Sequence, residues 1–218
     1  MPTLHQYRKE NRQELGYQLF LPANYEELYE KKWPLILFLH GSGRRGADIR
    51  ILDGYGLNGI AENNEDFEFI VLTPQCPSSE VWANQHGSLL YLLDNIVSKY
   101  RVDTDRIYLT GFSMGGIGSW SLAAHAPQRF AAVAPIAGWF EPEMAHSLMN
   151  VPIWNFHGQE DETVPFHRSE KIVSRLSEIG GNVRFTRYPN AGHGVMNETY
   201  RNPDLYKWFL EHTKKVTL

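Results

Sequence analysis

Ile107-Tyr108-Leu109-Thr110-Gly111-Phe112-Ser113-Met114-Gly115-Gly116-Ile117 runs from a short apolar segment through a glycine-bracketed serine into a helix-like stretch that ends near Ala126. In Gly-x-Ser-x-Gly the small flanking residues let two backbones pass closely, so the serine can occupy a sharp strand-to-helix turn with its hydroxyl standing clear. The pattern alone is common, and an ordinary glycine turn would also carry it. Its place between a buried run and a helix makes Ser113 the candidate nucleophile.

Outward from this turn, apolar runs bounded by turn residues recur at 35–39, 69–72, 107–109, 131–137 and 153–156. Continuous short runs of this kind suit strands buried on both faces. Helical periodicity lies between several of them: Leu89, Leu90, Leu93, Ile96, Val97 and Tyr100 form one stripe, Ile172, Val173, Leu176 and Ile179 another, and Leu205, Trp208 and Phe209 a third. Residues 17–21 and 183–188 read as further strands, the second alternating in polarity as expected nearer a sheet edge. Strands alternating with helices predict an α/β chain with a mostly parallel central sheet and helices on both faces. No repeat, low-complexity tract or linker interrupts it, so one domain over residues 1–218 is expected. Only residues 138–150 separate two of the strands, too few for a helical lid domain. The expected cleft is therefore open or shallow, favouring small or exposed substrates over long buried lipids.

A chain of 218 residues with 42% apolar content can bury one sizeable core, and its formal net charge of -4 supplies no basic patch. Nucleic acid and anionic membrane surfaces are not expected partners. Residues 1–12 are polar and of mixed charge, no stretch reaches membrane-span length, and a soluble, cytoplasmic location is expected. Cys76 is the only cysteine, which excludes an intramolecular disulfide; it reads as a small buried side chain.

A serine hydroxyl is a poor nucleophile at neutral pH and needs a base, itself oriented by a third group. Among nine histidines, His193 in Asn190-Ala191-Gly192-His193-Gly194 follows the last strand on a glycine-bracketed loop, where open sheets assemble their sites. The acid is best sought at Asp161 in His157-Gly158-Gln159-Glu160-Asp161-Glu162-Thr163-Val164-Pro165, the alternative being that the acidic cluster is a solvated turn. Backbone donors for a developing oxyanion are expected from the Met114 amide and from the loop His40-Gly41-Ser42-Gly43, with Ser42 the first choice and Gly43 the second. His40 and His157, each preceding a glycine at a strand end, read as structural. Arg44 and Arg45 read as a solvated loop face that could attract an anionic substrate group. Trp82 and Trp139 either line an acyl or alcohol pocket or pack in the core or rim.

With these pieces in order the chain resembles the α/β-hydrolase superfamily, specifically its small carboxylesterase, dienelactone-hydrolase-like and phospholipase/carboxylesterase members. The resemblance rests on Leu39-His40-Gly41-Ser42-Gly43, Thr73-Pro74-Gln75-Cys76-Pro77, Val102-Asp103-Thr104-Asp105-Arg106-Ile107-Tyr108, the serine turn at 111–116, His157-Gly158 with Asp161 and Val164-Pro165, and Gly192-His193. It implies a Ser113, Asp161, His193 triad in that chain order, a two-amide oxyanion hole, and ester hydrolysis through an acyl-enzyme without metal or organic cofactor. It also implies a structural role for Asp103 and Asp105. The chain departs from dienelactone hydrolases proper, whose nucleophile is a cysteine. The expected activity is that of a carboxylesterase on small-molecule esters of short or medium acyl chains. Feruloyl or acetylated polysaccharide, lysophospholipid or acyl-thioester substrates are the enzymatic alternatives, and a non-catalytic ligand-binding protein is the alternative of another class. Oligomeric state is left open.

Overall fold

Trp33–Leu39 forms a strand in which all seven residues are buried, and its alternate side chains enter two different cores. Leu35, Leu37 and Leu39 point to one face, while Ile36 and Phe38 point to the other. A strand with period-two side chains can be apolar throughout only if both faces of its sheet are covered. That single strand therefore demands the layered arrangement around it. The structure, a computed structural model, describes residues 3–5 and 14–214; most of the polar stretch 1–12 thus lies outside the described residues.

In chain order the strands are β1 (Thr3–His5), β2 (Tyr17–Phe20), β3 (Trp33–Leu39), β4 (Ile70–Pro74), β5 (Val102–Phe112), β6 (Ala132–Ile136), β7 (Ile153–Gly158) and β8 (Val183–Tyr188). They make one sheet ordered β1-β2-β4-β3-β5-β6-β7-β8. β1 and β2 pair antiparallel, and every pairing from β4 to β8 is parallel. The alternating strand 183–188 does lie at the sheet edge. The helices are α1 (Leu57–Glu62), α2 (His86–Lys99), α3 (Met114–His125), α4 (Phe166–Glu178), α5 (Met196–Arg201) and α6 (Pro203–Leu210). α2, α3 and α4 contribute Leu89, Leu93, Trp120, Leu122, Ile172 and Leu176 to one core. α1, α5 and α6 contribute Leu57, Tyr200, Leu205 and Phe209 to the other. Each large apolar side chain so buried contributes about 1.5–3 kcal/mol.

β5 is longer than its apolar run because Asp103 to Arg106 extend it as exposed or half-buried polar residues, with Arg106 paired to Asp103 at 3.6 Å. Three elements were not legible: β1 has three residues, and α1 and α5 six each, too short for a hydrophobic period to show. Between β6 and β7 the chain makes a 3-10 helix, Pro142–Leu148, anchored by buried Ala145 and Leu148. The carboxyl ends of β3, β5, β6, β7 and β8 share one edge of the sheet, because all five strands run the same way. Ligand sites in open parallel sheets lie at that edge.

Candidate active site

β5 ends at Phe112 and α3 starts at Met114, leaving Ser113 alone to reverse the chain. It does so at φ 57° and ψ −116°, a backbone region that costs a non-glycine residue about 1–3 kcal/mol. Two hydrogen bonds hold it there: Ser113 N–H donates to the Ile136 carbonyl of β6 at 2.9 Å, and Ile117 N–H donates to the Ser113 carbonyl at 2.9 Å. α3 can come this near the sheet only through its glycines. A Cβ on Gly115 would stand 1.8 Å from the Leu39 carbonyl oxygen of β3.

Ser113 Oγ lies 2.9 Å from Nε2 of His193, and Nδ1 of the same ring lies 2.7 Å from Oδ2 of Asp161. The three residues are far apart in sequence, at separations of 80 and 32 positions, and the ends of β5, β7 and β8 bring them together. The imidazole rests on the Phe112 ring, centroids 4.8 Å apart, and stays partly open to solvent, whereas the Asp161 side chain is fully buried. Its neighbours Glu160 and Glu162 are exposed, so only one carboxylate of the acidic cluster faces the histidine. Asp161 Oδ1 accepts the Thr163 and Val164 amides at 2.9 and 2.8 Å, so the turn after β7 orients the carboxylate. The loops carrying acid and base touch at Gly158, where a Cβ would stand 2.2 Å from the Gly192 carbonyl oxygen. Glu160 N–H donates to Ala191 O across the same seam. With Nδ1–H donated to a buried carboxylate, Nε2 is the unprotonated nitrogen, free to accept the serine proton.

Met114 opens α3, where the first amides have no acceptor within the helix. The β3 loop runs alongside, since the Leu39 and His40 carbonyls abut Gly115. On that loop Gly41 stands beside the Tyr55 hydroxyl, and Ser42 opens a 3-10 turn, Ser42–Arg44, with Ser42 and Gly43 both exposed. The two expected donor segments are thus adjacent, beside Ser113.

Trp82 packs in the core, one of the two readings left open for it. It is fully buried, its Nε1–H donates to the His40 carbonyl at 2.9 Å, and it packs beneath α3 at Gly118. A large apolar ring with one donor is best satisfied inside, with that donor paired. Trp139 is half-buried and borders a recess of about 270 Å³ with Phe140, Glu141, His167 and Arg168; the Arg168 guanidinium lies 3.0 Å from the indole centroid. His40 is a structural tie: its Nδ1–H donates to Gly41 O at 2.7 Å, and its Nε2 accepts the Cys76 amide at 3.0 Å. Burial holds it neutral, with its pKa lowered to about 4. Arg44 stacks on Tyr55, and Arg45 bonds the Ser42 and Glu80 carbonyls, so both are engaged with the loop. Cys76 is buried, which pushes its thiol up to about 11. The Phe112 ring beneath His193 escaped the sequence reading, because an aromatic inside the serine turn looks like one more core residue.

Among the described residues no group of three or more His, Cys, Asp or Glu is placed to hold a metal ion, and no helix is long and apolar enough to cross a membrane. A model of the dienelactone hydrolase family matches residues 12–207. The chain is 26% identical over 188 residues to the bifunctional acetylxylan esterase/xylanase XynS20E of Neocallimastix patriciarum, covering 81% of this chain and 26% of that protein. It is 27% identical over 181 residues to a carboxymethylenebutenolidase-like protein of Escherichia coli (strain K12), covering 77% of this chain and 57% of that one. The chain thus spans about half the length, or less, of these relatives. Among solved structures a thermostable esterase superposes with a TM-score of 0.82 at 28% identity, over 97% of this chain and 63% of that one.

Proposed function

The chain belongs to the dienelactone hydrolase family, and on that premise we propose that it is a serine carboxylesterase acting on esters of short or medium acyl chains. The observation that carries the reading is the continuous line of hydrogen bonds from Ser113 Oγ through His193 to the buried Asp161. In the proposed reaction Ser113 Oγ attacks the ester carbonyl carbon while His193 Nε2 takes its proton. Asp161 stabilises the imidazolium that results. The carbonyl oxygen, now carrying negative charge, is held by the Met114 amide and by Ser42 or Gly43 of the adjoining loop. As the tetrahedral intermediate collapses, His193 returns the proton to the departing alcohol, leaving Ser113 acylated. Water activated by the same imidazole then attacks the acyl carbon and releases the acid with Ser113 restored.

A second reading, an esterase that removes acetyl groups from polysaccharide, is favoured by the likeness to a protein whose name includes acetylxylan esterase. A comparison of kcat/KM on 4-nitrophenyl acetate, butyrate and octanoate with acetate release from acetylated xylan separates the two. Ser113→Ala tests the mechanism common to both. It should lower kcat by at least about 10³-fold and abolish labelling by a fluorophosphonate probe. Undiminished labelling of that variant would exclude Ser113 as the nucleophile.

A further inference from the structure

Asp161 Oδ2 has a second histidine upon it. His157 Nε2 lies 3.1 Å from this oxygen and 2.9 Å from the Val164 carbonyl oxygen, and the ring is fully buried. Val164 O can only accept, so Nε2 carries the proton. On the other side of the ring Nδ1 is buried and faces no donor or acceptor among the described residues. A proton there would be an unpaired buried donor, so the ring is held as the neutral Nε2–H form. Burial lowers its pKa in the same sense, and the charged or titratable groups acting on it are Asp161 and His193. The Phe166 ring of α4 packs perpendicular to it, centroids 5.7 Å apart, and brings no charge.

We propose that His157 is a positioning residue of the reaction, which shares Asp161 Oδ2 with His193 through one N–H able to bond either that oxygen or Val164 O. The role rests on the assignment of Asp161 and His193 given above. When His193 is neutral, the His157 proton draws part of the Oδ2 charge. When His193 becomes an imidazolium, it claims that oxygen more strongly, and the His157 N–H has the Val164 carbonyl to fall back on. The carboxylate thus keeps its orientation through the proton transfer without leaving a buried donor unpaired. A mere turn-holding residue would need only Val164 O and would leave the carboxylate alone.

Removing this donor should leave the carboxylate charge more fully on the His193 side, and so favour the protonated base. For His157→Phe the acid limb of kcat/KM against pH should move upward by about half a pH unit or more. For His157→Gln, whose amide nitrogen can occupy the Nε2 position, it should stay within about 0.2 of wild type. An acid limb unmoved in the Phe variant, with only thermal stability lost, overturns the proposal. A wild-type measurement decides the matter if that variant does not fold. The protected His157 Nε2–H proton resonance should move with the titration of His193, and a resonance silent through that titration overturns the role. The resonance reads the coupling whether or not any ester is cleaved, so failure of the esterase reading shows separately, as a wild type without turnover.

Discussion

Ser113 holds its hydroxyl against His193 at the cost of backbone strain, and that strain is measurable apart from chemistry. At φ 57° and ψ −116° a side chain is disfavoured whatever it is, while glycine adopts positive φ freely. Ser113→Gly should therefore be more stable than Ser113→Ala by about 1 kcal/mol, even though glycine gains more entropy on unfolding. For a chain of this size the difference is roughly 2–4 °C in Tm, readable by thermal unfolding of the two inactive variants side by side. A glycine variant melting below the alanine one would mean that the turn is not strained. At this scale the sequence was legible where a residue type sits in a constrained local pattern, as Ser113 does. It was not legible where contacts cross between elements. Trp82 follows a central strand just as a pocket residue would, and only its bond to the His40 carbonyl and its place under Gly118 reveal a core residue.

Elements deliver the three side chains to one point, and the seam between the β7 and β8 loops is the narrowest part of that delivery. Gly158 ends β7 with its α-carbon against the Ala191 and Gly192 carbonyls, and Gln159 N–H and Glu160 N–H bond Tyr188 O and Ala191 O across the seam. A methyl group in Gly158→Ala would meet those oxygens at 2.3 and 2.2 Å, and backbone atoms must shift to admit it. A displacement of about 1 Å between acid and base loops should cost kcat/KM on the order of 10²-fold. Overpacking should add about 1–3 kcal/mol of lost stability. Steady-state kinetics on a folded Gly158→Ala sample would check this, and near-normal turnover would show that the seam does not set the alignment. The same comparison explains what the sequence revealed of the fold. Buried parallel strands and long amphipathic helices print their periods plainly, as in 35–39 and 172–179. Six-residue helices such as α1 and α5 are held by tertiary contacts of Leu57 and Tyr200 rather than by a pattern of their own.

Across the whole molecule, one sheet runs through the described residues with a core on each face, and we propose that it unfolds as one unit whose stability depends on acid. His40 joins the ends of β3 and β4 while buried, accepting the Cys76 amide on Nε2, so protonation would break that bond and place a charge in the interior. Its pKa in the fold is about 4, against 6.5 for the free side chain. Between those values the unfolded chain takes up a proton that the folded chain refuses, so stability must fall as pH falls. The contribution is fully present above pH 6.5 and is lost progressively down to about pH 4, reaching on the order of 3 kcal/mol. Burial lowers the pKa of His157 and His86 as well, so their contributions have the same sign. Tm should hold a plateau above pH 7 and drop toward pH 4 in a single transition. His40→Gln, which can still present an oxygen to the Cys76 amide, should start from a lower plateau and fall less steeply. Equal slopes in the two proteins would place the acid sensitivity elsewhere, and two resolved transitions would contradict a single unit.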